Sequence, residues 1–148
     1  MNKEHLYQLC LSFIEQRIQT AETALTQARE ASNDDTKSSA GDKYETSREM
    51  MQQDIDRNKR LLIDAEENRK VLETIGHAGP SDSIRGGSLV YTNQGIFYIS
   101  ISAGQLQAEG KTVFAISAAS PIGKLMLGKK SKDSFSFNGK NYLIEEVA

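Results

Sequence analysis

Proline is nearly missing from this chain, and the place where it is missing carries information. Both prolines fall after residue 79, and before residue 76 the only glycine is Gly41. A stretch with so few helix breakers is open to long uninterrupted helices. Tryptophan is absent, and a single cysteine, Cys10, excludes an internal disulfide and any cysteine-based metal framework. His5 and His77 stand alone and add little. No apolar run reaches the length of a membrane span, so no membrane partner is expected. The opening Met1-Asn2-Lys3-Glu4-His5 lacks the basic and apolar runs of a secretion signal, and a cytoplasmic location is expected. Charge of one sign is lacking too. Eighteen Lys and Arg against 20 Asp and Glu give a formal net charge of −2, a poor match for nucleic-acid phosphates. A protein partner is the better expectation, with nucleic acid reached only indirectly.

What is present divides sharply near Gly76-His77-Ala78-Gly79-Pro80-Ser81. Residues 1–76 are expected to form one helical unit, 77–86 a linker and 87–148 a compact β-rich domain. In the first part Tyr7, Leu11, Ile14, Ile18, Ala21, Leu25 and Ala28 recur at alternating steps of four and three, which lays one apolar seam along a helix with a coiled-coil period. A second run holds Tyr44, Met51, Ile55, Leu62, Ala65 and Leu72 on the same template. It is interrupted by Arg48, Asn58 and Arg69, which either fix the register or lie at the edge.

Between the runs, residues 32–42 are rich in Asn, Asp, Thr and Ser, which favour caps and turns. The expected object is an antiparallel helical hairpin with an acidic tip, its first helix over 3–31 extending roughly 40 to 45 Å at 1.5 Å per residue.

The second part reads as a turn leading into a strand over 84–91, then strands over 96–101, 112–117, 133–137 and 142–147, with turns at 92–95 and at Asn138-Gly139. A curved antiparallel sheet follows. Within it, Ser120 as a cap, Pro121 at the first helical position and Gly128 at the end mark one short helix. Its Ile122, Leu125 and Met126 are expected to plug the sheet, which makes the fold class α+β.

The run Ser117-Ala118-Ala119-Ser120-Pro121-Ile122-Gly123-Lys124-Leu125-Met126-Leu127-Gly128-Lys129-Lys130 resembles the C-terminal motif of the Gre transcript-cleavage factors. In that family a strand ends in a Ser-Pro-apolar-small-basic run, followed by an apolar pair and Gly-Lys. The continuation through Lys132-Asp133 to Tyr142-Leu143-Ile144-Glu145 is similar as well. Motif-level likeness covers about 87–147, and architectural likeness covers the hairpin. The resemblance implies an FKBP-like C-terminal domain docking at the rim of the secondary channel of bacterial RNA polymerase, and a hairpin inserted toward the active centre. It places Ser120, Pro121, Ile122, Lys124, Lys129 and Lys130 at the docking surface. The chain would then be no enzyme of its own, but an elongation regulator acting through the polymerase active site, by stimulating transcript cleavage or by occupancy.

The family's cleavage-stimulating members carry two key acids at the tip. With Tyr44 aligned to their tip tyrosine, Lys37 and Ala40 occupy those two positions here. Other acids lie close by, at Asp34, Asp35, Asp42 and Glu45, and Asp42 and Glu45 keep the family's internal spacing. Carboxylate oxygens suit Mg²⁺, so Asp42 and Glu45 are candidates for sharing an ion with the polymerase, with no cofactor held tightly by the chain itself. The plainer reading has Asp34 and Asp35 solubilising a loop and Glu45 complementing a helix dipole.

Other signals are weaker. Cys10 on an apolar helical face reads as packing rather than as a nucleophile. Gly86-Gly87 lacks the rest of a phosphate loop and reads as a turn. Lys124, Lys129, Lys130 and Lys132 make a basic cluster that suits an acidic protein groove as well as nucleic acid. A prolyl isomerase or chaperone-like FKBP domain is the alternative from another class, against which the five Phe and five Tyr read as scattered rather than gathered in one pocket. A structural coiled-coil adaptor is the third. Oligomeric state is open at this point.

Overall fold

The structure is a computed structural model; it describes the backbone of residues 1–38, 42–76 and 79–148, and their side chains except those of 32–38 and 42–46. Two helices lead, α1 (Lys3–Ser38) and α2 (Asp42–Ile75). They pack as an antiparallel pair and are followed by a mostly antiparallel open sheet with one short helix, an α+β fold. Helix α1 continues to Ser38, past the expected end at residue 31. Asn33, Asp34 and Asp35 are modest helix formers, each only fractions of a kcal/mol worse than alanine. Neither proline nor glycine interrupts the chain before Gly41.

Contacts divide the chain into two units, Ile14–Asn68 and Met1–Phe13 together with Arg69–Ala148. In the first, Ile14, Ala21 and Leu25 of α1 are buried, as are Ile55, Asn58 and Ala65 of α2. These are positions of the two expected seams. Asn58 lies within the seam, only 9% exposed, and its Nδ2 donates to the Asp54 carbonyl oxygen at 2.9 Å. Arg48 is exposed at the edge.

The second unit holds the sheet. Its strands are β1 (Leu89–Thr92), β2 (Gly95–Ser100), β3 (Gly104–Ala108), β4 (Lys111–Ser117), β5 (Ser134–Phe137) and β6 (Lys140–Val147), in the order β3-β4-β2-β1-β6-β5. Every pairing is antiparallel except β2 with β4, which run parallel because β3 turns back outside β4. Two tight turns close hairpins with both central residues at positive φ. These are Asn138-Gly139, as its residues predict, and Glu109-Gly110, with φ 53° and 74°.

The alternation of strand side chains gives the sheet two apolar faces. Val90, Phe97 and Phe114 stand in register across three strands and point to one face. There they join Ile99, Phe135, Tyr142 and Ile144, closed over by Ile84 and by Met126 of the short helix α3 (Pro121–Met126). Leu89, Tyr98 and Ala115 form the neighbouring row and point the other way. The base of α1 covers that second face. Leu6 and Cys10 are fully buried, and Cys10 Sγ lies 3.5 Å from Ser100 Oγ. Leu72, near the end of α2, is equally buried in this unit. Arg69 is exposed and pairs with Glu73 at 3.5 Å.

Candidate functional site

The run Ser117 to Lys130 becomes the end of β4, a turn, α3 and a returning loop. Ser120 is the N-cap of α3, in extended conformation with φ −67° and ψ 158°. Its Oγ accepts from the Gly123 N–H at 3.1 Å and donates to the Ser117 carbonyl oxygen at 2.6 Å. The Lys124 N–H donates to the Ser120 carbonyl at 2.9 Å, which starts the helix. Pro121 occupies the first turn, where its missing N–H costs nothing. Gly123 is buried against the strand end. A Cβ there would run into the Ser117 carbonyl oxygen and come within 2.9 Å of Ser120 Oγ. Ser120 and Gly123 therefore dock α3 onto β4.

The outward side of the same segment is apolar and basic. Met126 is fully buried and Ile122 is half-buried against the core, both as expected of residues that plug a sheet. Leu125 does otherwise: it is 40% exposed, and Leu127 at the end of the helix is 42% exposed. A single helix of six residues has one inward stripe, and Ile122 and Met126, four apart, take it. Pro121, Lys124, Lys130 and Lys132 are exposed and Lys129 is half-buried. The loop carrying these lysines is pinned at its root. The Gly128 N–H donates to the Ile84 carbonyl at 2.9 Å, and the Ile84 N–H donates to the Lys129 carbonyl at 2.8 Å. Asp133 Oδ2 accepts from the Lys130 N–H at 2.8 Å. The result is a fixed surface of two leucines among ammonium groups, whose chemistry matches an acidic protein surface with an apolar centre. The sequence reading of Leu125 as a core plug is thus corrected to a surface position, and Leu127 was given no role there, since a leucine beside a buried methionine reads as core.

The tip acids Asp34, Asp35, Asp42 and Glu45 have side chains outside the described residues. On the backbone, Asp34 and Asp35 belong to the last part of α1, while Asp42 opens α2 with Glu45 in the same first turn. His77 also lies outside the described residues. Among the described residues no three His, Cys, Asp or Glu side chains converge on a metal position.

Two further places bear on chemistry. Burial raises the Cys10 thiol above its ordinary pKa, the Ser100 hydroxyl opposing this by hydrogen bonding, so the reactive thiolate is disfavoured as packing predicts. Four aromatic rings do gather, contrary to the scattering read from sequence. Phe97 sits 5.6 Å from Phe114 and 6.2 Å from Tyr142 between ring centroids, and Tyr142 stacks on Phe135 at 4.9 Å. Sheet register brings together rings that are far apart in the chain, and they fill one another's space as core.

Among the described residues no helix is long and apolar enough to cross a membrane. No known protein family and no curated protein matches this chain by sequence.

Proposed function

We propose that this chain is an elongation regulator of the Gre type, which docks on bacterial RNA polymerase in the cytoplasm and inserts its helical hairpin into the secondary channel. The observation that carries the reading is the hairpin itself. Two paired helices of 36 and 34 residues each extend about 50 Å, roughly twice the span of the longest strand, β6, with its 8 residues. Their joining region concentrates acids at Asp34, Asp35, Asp42 and Glu45. The fixed basic and apolar surface of α3 supports the docking half of the reading. Lys124 and Lys130 would meet acidic groups of the polymerase, and Leu125 and Leu127 would supply the apolar contact.

In this reading Asp42 and Glu45, one turn apart in sequence at the start of α2, would hold an ion shared with the polymerase through their carboxylates. The chemistry supplied there would be activation of water against a phosphodiester. The hairpin's own part is to carry the carboxylates there and hold them.

A pull-down with purified RNA polymerase, followed by cleavage of backtracked transcript on the bound sample, tests both halves. Wild type should bind and cleave, and Asp42→Ala/Glu45→Ala should bind equally and lose cleavage by about a hundredfold or more, as for removal of a metal-positioning group. Binding without cleavage in wild type would assign the chain to occupancy of the channel. Failure to bind would sink the reading.

A further inference from the structure

The hairpin unit Ile14–Asn68 has a feature that channel insertion does not use. Along one flank, residues 16–24 of α1 and 58–68 of α2 line a groove of about 330 Å³. Its floor is small and apolar, made by Ala21, Ala24 and Ala65, and on its wall stands Leu61, 52% exposed. A leucine that exposed beside a floor of alanines is a knob next to an unfilled hole. Charge lies on the same flank, Arg17 from α1 and Asp64 from α2.

The antiparallel pairing sets the heights. Moving up α1 means moving down α2, so Arg17 lies within a turn of the height of Asp64, and Ala21 and Ala24 within a turn of the height of Leu61. We propose that this flank is a self-association surface whose occupant is a second copy of the same chain, related by a two-fold axis parallel to the hairpin. That operation sets α1 of one copy against α2 of the other and leaves every height unchanged. Leu61 of each copy then enters the alanine floor of the other, and Arg17 of each faces the other's Asp64. Knob and hole, and cation and anion, match under one operation, and the product is a four-helix bundle over this segment. A twist or a shift along the axis would break both matches together. The proposal stands apart from the polymerase reading, because it requires no polymerase.

Sedimentation equilibrium of the full chain over a concentration series tests it, with helical circular dichroism as the control for folding. Wild type should move from the mass of one chain, 16.4 kDa, to twice that mass as concentration rises. Leu61→Glu, at an exposed position, should keep its helical signal and raise the dimer Kd by at least about a hundredfold, a charge being buried where an apolar anchor sat. Arg17→Glu sets acid against acid twice per dimer and should weaken association by about tenfold, and Arg17→Glu/Asp64→Arg should recover it. A wild type of single-chain mass at every concentration would overturn the proposal and leave the groove to another protein. A dimer that survives Leu61→Glu would overturn it equally, by placing the contact elsewhere.

Discussion

At Gly123 two preferences of the polypeptide pull in opposite directions. Inside a helix, alanine is favoured over glycine by roughly 1 kcal/mol, so Gly123→Ala would stabilise α3 if the helix stood alone. The same Cβ, however, meets the Ser117 carbonyl oxygen, which is backbone held in a strand end and cannot swing away. Overpacking against a fixed neighbour costs about 1 to 3 kcal/mol and here also strains the Ser120 cap. The clash wins, and Gly123→Ala should lower the melting temperature; an unchanged or raised value would show that α3 is not held as tightly as its contacts indicate. Tyr98 offers a different test at this scale. The residue is 2% exposed. Burial, with smaller contributions from Cys10, Tyr7 and Glu4, pushes its pKa well above the ordinary value of 10.0. A raised folded pKa means stability that is complete below the unfolded value and is lost as pH climbs from about 10 upward, because the unfolded chain releases the proton first. Tyr98→Phe removes the titrating group, so the difference in melting temperature between variant and wild type should be constant near neutral pH and should shift in the variant's favour above about pH 10. Parallel melting curves against pH that keep the same separation throughout would refute this. Cys10, also raised by burial, adds to the alkaline loss in both proteins and leaves the comparison intact.

Whole elements were legible to the extent that their cause is local. The steps of four and three that place Ile14, Ala21, Leu25, Ile55 and Ala65 on a seam are written in the order of residues, and those side chains are buried. The cap, proline and glycine around α3 are local too, as is the Asn138-Gly139 turn, and each appears where its residues put it. Strand β3 was not legible. Gly104-Gln105-Leu106-Gln107-Ala108 has one large apolar residue, and it becomes a strand because β4 beside it offers a ladder, with Leu106 in register with Val113. The Glu109-Gly110 turn that joins them hides behind a glutamate, a residue type that seldom takes positive φ. The parallel pairing of β2 with β4 is likewise a matter of sheet order, which no window of sequence contains. The candidate site divides along the same line. Lys124 and Lys130 are recognisable as a charge cluster, but exposure of Leu125 depends on which of the apolar residues of a six-residue helix win the inward stripe. Leu61 beside its alanine floor needs the partner helix to be seen as a hole at all. Asn58 belongs to both classes: its position on the seam was evident, and its donation to the Asp54 carbonyl is what makes burial there tolerable.

At the scale of the whole molecule, the change in composition near Gly76 and the boundaries of the compact units are different things. The unit that contains the sheet also takes in Met1–Phe13 and the end of α2 from Arg69. The physical reason is that the sheet has two apolar faces, and α3 with Ile84 covers only one. Leu6, Cys10 and Leu72, each at 0% exposure, come from the helix bases. At about 1.5 to 3 kcal/mol for each side chain fully buried, these three contribute roughly 5 to 9 kcal/mol. That is comparable to the whole stability of a small domain, about 5 to 15 kcal/mol. A chain cut to residues 79–148 keeps all six strands yet leaves Leu89, Tyr98 and Val113 facing water. It should show no cooperative thermal transition and should bind a dye of exposed apolar surface. Joining Met1–Phe13 to Arg69–Ala148 through a short glycine-containing turn removes Ile14–Asn68, keeps the cover, and should melt cooperatively. The contrast between the two shortened chains decides whether the helix bases are structural parts of the sheet domain. Equal cooperative melting of both would mean that the sheet stands without them, and that Leu6, Cys10 and Leu72 are covered by the sheet rather than needed by it.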